Sequence, residues 1–201
     1  MASFRARISE RWLRGLRLGN RKDRGLWLGL GLALLLIGVF VRLSFVLRGE
    51  AADALNNWDQ SVLIALSHYR NSAFNGIAVD FTALGSVTVL TLLNVFFLMI
   101  LIFQKDRRGA AYLFVGSVGS GIISKLLKLF FTRARPTIVP KLVDVSGYSY
   151  PSGHSLAAAS FYILIMFIAW QKFPARAPRI AFGTLAVGII LGICFSRLYL
   201  G

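Results

Sequence analysis

Pro151-Ser152-Gly153-His154 stands at the start of an uncharged run, and His154 is one of only two histidines in the chain. An imidazole titrates near neutrality, so a histidine placed at such a point is a candidate acid or base. Ser152 is a candidate N-cap that would leave the Gly153 and His154 amides without intrahelical partners, and helix starts of that kind attract anions. The plainer alternative is that Ser152 only caps and Gly153 only turns. Five cations complete the set: Lys125, Lys128, Arg133, Arg135 and Arg197. Gathered at one level with few acids nearby, they suit an anionic ligand, and phosphate first of all at a bilayer-facing site. Taken singly, each could instead be a long basic side chain reaching for the headgroups. His68, the other histidine, has no charged cluster beside it in sequence.

Whether these residues can meet depends on the elements that carry them. The chain has 201 residues, with 23 Lys and Arg against 8 Asp and Glu, a formal net charge of +15. Such an excess alone would suit a nucleic-acid binder, but 56% of residues are hydrophobic and mean hydropathy is +0.66. That apolar content excludes disorder and leaves no need for nucleic acid as a partner. A single cysteine, Cys194, excludes a disulfide framework and a cysteine-based zinc site. Five stretches approach or reach the roughly 20 residues needed to span a bilayer: Leu26–Leu47, Leu84–Phe103, Gly109–Phe131, His154–Trp170 and Ile180–Leu200. None alternates like a strand, so the expected fold is all-α, a polytopic membrane helix bundle with five spanning helices.

Basic residues orient the bundle. Eight fall in the leader of residues 1–25, three (Lys105, Arg107, Arg108) follow the second stretch, and three (Lys172, Arg176, Arg179) follow the fourth. If the five helices alternate, all fourteen share one side, which the positive-inside rule makes cytoplasmic. Segments 48–83 and 132–153 are then outward loops. At about 1.5 Å per residue, Lys128 lies roughly 28 Å from Gly109 and Arg197 roughly 25 Å from Ile180, so these cations gather near the outer face. In the leader, Phe4, Ile8, Trp12 and Leu16 recur every four residues among arginines, as in a helix lying on an anionic membrane surface. A disordered basic tail serving only as a topology signal accounts for the leader equally well. The first stretch exceeds a usual signal-peptide core and is expected to be retained.

Lys128, six intervening residues and Arg135-Pro136 resemble the first signature of the type-2 phosphatidic acid phosphatase superfamily. Pro151-Ser152-Gly153-His154 resembles the second, and Ser196-Arg197 the opening of the third. The resemblance covers roughly residues 55–201 and makes 26–201 the membrane domain. It implies six helices, of which five are present here, and phosphate-ester hydrolysis through a phosphohistidine, with no metal or other cofactor. It further implies that Lys128, Arg135 and Arg197 bind the phosphate oxygens, helped by Ser152 and the Gly153 amide. His154 becomes the acid that protonates the leaving alcohol, and bound phosphate dianion should favour its protonated form. In that family the third signature runs on to a nucleophilic histidine and an orienting aspartate, which here fall at positions 203 and 207, past Gly201. The 201 residues are therefore expected to be a fragment, or else a naturally dead chain, and by themselves inactive.

The implied function is hydrolysis of a lipid phosphomonoester or diphosphate at the outer face of the cell membrane. Phosphatidic acid, phosphatidylglycerol phosphate and undecaprenyl diphosphate all fit. A non-catalytic binder or transporter of lipid phosphates is the alternative, since it too would need cations at membrane depth.

Overall fold

In the computed structural model the described residues are 35, 38–42, 44–45, 52–135, 137–140, 142–143 and 147–200. The leader and most of the Leu26–Leu47 stretch lie outside them. The chain divides into two compact units, Met1–Trp58 and Asp59–Gly201. In the first, residues 38–42 are helical, and the Ser44 hydroxyl donates to the Phe40 carbonyl at 2.7 Å. The second unit carries the residues singled out above.

Six helices follow one another: α1 (Ala52–His68), α2 (Ser72–Leu84), α3 (Val87–Phe103), α4 (Arg107–Phe131), α5 (Gly153–Lys172) and α6 (Arg176–Leu200). No strand occurs among the described residues, and the all-α expectation stands. By length and composition α4, α5 and α6 each suffice to cross a membrane, and α2 with α3 makes a fourth candidate span, bent by 44° at a short break.

Local chemistry sets the boundaries. Asn71, Ser86, Asp106 and Ser152 cap α2, α3, α4 and α5, each side chain accepting from the backbone amide three residues on. At the far end of α4, Thr132 turns the chain through a left-handed conformation (φ 46°) while its amide donates to the Lys128 carbonyl at 2.9 Å. A β-branched residue adopts that region only when its surroundings insist on it.

Two expectations need correction. Segment 48–83, expected as an outward loop, is largely helical, because α1 and α2 hold their apolar residues between Asn, Asp and Gly. Neither contains an apolar run long enough to register as a span. The second stretch is not one helix from Leu84: the chain breaks at Gly85-Ser86 and α3 begins at Val87. The break is locked by packing, since a side chain on Gly85 would put its Cβ 2.8 Å from Ile193 Cγ2 and 3.5 Å from the His154 carbonyl oxygen.

The core joins Leu90 and Leu101 of α3, Leu113 of α4, Ala158, Phe161 and Ile168 of α5, and Ile193 of α6. Helix α5 packs against α3, α4 and α6, while α2 packs along α6. There Gly192 receives the Phe81 ring: a Cβ on Gly192 would lie 2.5 Å from two of its carbons. At the end where α3 and α5 finish, Lys172 pairs with Asp106 at 3.1 Å and hydrogen-bonds Gln104. Donation from the Gly109 amide, followed by Lys172, holds the Asp106 carboxyl below the usual carboxylate range.

Candidate active site

The opposite end of the bundle brings together three helix ends and one loop. The Ser152 hydroxyl accepts from the Ser155 amide at 3.4 Å and from the Ser155 hydroxyl at 3.1 Å. Because α5 begins at Gly153, the Gly153 and His154 amides have no carbonyl four residues back within the helix. The end of α4 stands over this point. A Cβ placed on Gly153 would be 3.5 Å from Ser124 Oγ and 3.7 Å from Lys128 Nζ, so the bare backbone is what lets the ammonium approach. A larger residue would stand in the space between ammonium and amides.

Arg197 arrives from the end of α6. Its Nη1 donates to Thr82 Oγ1 at 3.4 Å, which anchors the guanidinium to the last turn of α2. Arg135 arrives from the segment after α4, where its Nε donates to the Gly147 carbonyl at 3.0 Å. Ser149 folds that segment back on itself: its amide and hydroxyl both donate to the Arg133 carbonyl, at 2.9 and 3.1 Å. Lys128, Arg135 and Arg197 are close enough that Arg135 acts electrostatically on both of the others, and all three act on His154. Among the described residues no carboxylate forms a salt bridge with any of the three.

The cations expected at this level thus separate into two groups. Lys128, Arg135 and Arg197 converge on the start of α5. Arg133 instead pairs with Asp59 of α1 at 2.5 Å, and Lys125 is exposed on the side of α4. Thr82 and Ser124, which the sequence reading missed, join the site, while His68 is exposed at the end of α1. No signal in the sequence marks Thr82, since its contact spans 115 positions. Ser124 could have been found, because it precedes Lys128 by one helical turn.

Among the described residues no three His, Cys, Asp or Glu side chains gather. The groups that converge are cations, hydroxyls and open amides, which are donors matched to an anion with several oxygens. One imidazole lies among them, so a proton can be held beside whatever those donors bind.

A helical bundle with this site is a membrane phosphatase of the PAP2 class: residues 109–201 match the family model described as the PAP2 superfamily. Two relatives agree over more of the chain. It is 28% identical over 151 residues to phosphatidylglycerophosphatase B of Bacillus subtilis (strain 168), covering 74% of this chain and 73% of that one. A solved structure from Bacillus subtilis, described as the first transmembrane PAP2 type phosphatidylglycerolphosphate phosphatase, superposes with a TM-score of 0.76 at 25% identity. That superposition covers 84% of this chain and 82% of the other.

Proposed function

We propose that the protein hydrolyses a lipid phosphate, with phosphatidylglycerol phosphate the leading substrate and phosphatidic acid and undecaprenyl diphosphate the others that fit. The observation that carries this reading is the convergence of Lys128, Arg135 and Arg197 on the start of α5, beside His154. The names of both relatives support the choice of phosphatidylglycerol phosphate.

In the proposed reaction the three cations, the Ser152 hydroxyl and the Gly153 amide hold the non-bridging phosphate oxygens. As the phosphoryl group leaves, charge spreads over those oxygens, and fixed donors stabilise it without reorganising. The bond between phosphorus and the alcohol oxygen breaks, and His154 gives its proton to that oxygen. The phosphoryl group passes to a nucleophile, which the resemblance identifies as a histidine at position 203, and water then releases it as inorganic phosphate. The site end is proposed to face away from the cytoplasm, supported by the basic segments after α3 and α5 at the other end.

The test measures inorganic phosphate released from the three lipids in proteoliposomes, using a chain that carries the expected histidine, with vanadate binding followed in parallel. Release that vanadate blocks supports the phosphatase. Vanadate binding without release from any of the three would favour a non-catalytic binder of lipid phosphates.

A further inference from the structure

On α4, Ser117, Gly121, Ser124 and Lys128 follow one another at steps of three or four residues and share one face. The upper part of that face belongs to the phosphate site. Its lower part borders a groove of about 350 Å³ between α3 and α4, whose lining includes Val87, Leu90, Val95, Phe114, Gly121 and Ala157. Ala157 stands one turn into α5 from Gly153, so two helices lead from the cation cluster into the groove. Gly121 lies about 10 Å below Lys128 by helix rise. That interval matches a glycerol unit between a phosphate and the first carbons of its chains.

The groove opens sideways: Val87, Val95 and Phe114 on its lips are 74%, 51% and 57% exposed. Its polar residues are satisfied among themselves. The Ser117 hydroxyl donates to Asn94 Oδ1 at 2.6 Å, the Asn94 amide to the Leu90 carbonyl at 2.8 Å, and the Ser120 hydroxyl to the Ser117 carbonyl at 2.9 Å. They join the two helices and leave an uncharged wall. The whole path is therefore cationic at one end and apolar along its length, complementary to a molecule anionic at its head and hydrocarbon in its tail.

We infer that this groove holds an acyl chain of the lipid whose phosphate sits at the cluster, entering sideways from the bilayer, and that Gly121 keeps it open. The inference rests on the phosphate-binding reading above. A Cβ at Gly121 meets nothing within 4 Å, so added bulk enters the groove rather than colliding with a neighbouring helix.

The experiment uses the full chain in detergent micelles and three probes: inorganic vanadate, dibutyryl phosphatidic acid and dioleoyl phosphatidic acid. The long-chain lipid should bind the wild-type chain more tightly than the short-chain lipid. Gly121→Leu should lower that preference about tenfold, the equivalent of roughly two buried methylenes. Val118→Phe, which narrows the groove from another exposed position, should lower it in the same direction. Leu126→Phe, on the side of α4 away from the groove, should leave it at the wild-type value. Vanadate binding by each variant shows that its phosphate site is folded. If the wild-type chain fails to bind vanadate, the phosphate reading itself falls. If vanadate binds but neither groove variant moves the chain-length preference, the groove inference is overturned and the phosphate reading survives.

Discussion

Among individual residues, the division of labour around α5 makes distinct kinetic claims. His154 is proposed to act on the leaving group, so His154→Ala in an active chain should lower kcat by about 10²–10⁴-fold while changing substrate affinity far less. Steady-state release of phosphate from phosphatidylglycerol phosphate checks this, and an unchanged kcat would remove His154 from the acid role. Arg135 and Arg197 are proposed to hold the phosphate itself. Each Arg→Ala change should weaken vanadate binding about 10- to 100-fold, the worth of a charge-assisted hydrogen bond. Titration calorimetry in micelles reads that loss. Sequence carried these residues well because each sits in a short pattern at the end of an apolar run. It could not separate Lys125 from Lys128, because residue count gives depth along a helix and says little about what the side chain will face. Nor could it separate Arg133 from Arg135, since the partner of Arg133 is Asp59, far off in the chain.

At the level of elements, the seam between α2 and α6 fixes where Arg197 points. Gly192 admits the Phe81 ring, and one turn further along α6 the guanidinium reaches Thr82. Gly192→Val should therefore overpack the seam, at a cost of about 1–3 kcal/mol. Gly188 on the same helix meets nothing within 4 Å, so Gly188→Ala should stabilise by roughly 0.5–1 kcal/mol through helix propensity. Thermal unfolding of the two variants in detergent should move in opposite directions. Helices α4, α5 and α6 were readable because each is a long apolar run, and their ends moved by only a few residues. Helices α1 and α2 were not, because a search for spanning length passes over helices that break up their apolar residues with polar ones. The bend at Gly85-Ser86 depends on Ile193 and His154, which no local pattern reveals.

Across the whole molecule, the two ends of the bundle handle charge in opposite ways. At one end Asp106 is matched by Lys172 and by the Gly109 amide, which together lower its pKa. A lowered carboxyl stabilises the fold fully above its unfolded value, near pH 4, and loses that contribution as the pH falls through the folded value. Wild-type melting temperature should therefore drop more steeply below about pH 4 than that of Asp106→Asn, which has no such proton to take up. At the other end Lys128, Arg135 and Arg197 repel one another beside a half-buried imidazole. This repulsion is a free-energy load that the empty fold carries and a bound oxyanion removes, so ligand occupancy and folding are thermodynamically linked. Saturating vanadate at 100 times its Kd should stabilise the chain by about 2.7 kcal/mol, seen as a rise in melting temperature. Screening by salt should raise the melting temperature of the empty form while shrinking the increment that vanadate adds. Among its ligation states, the protein is then least stable when its site is vacant in dilute buffer.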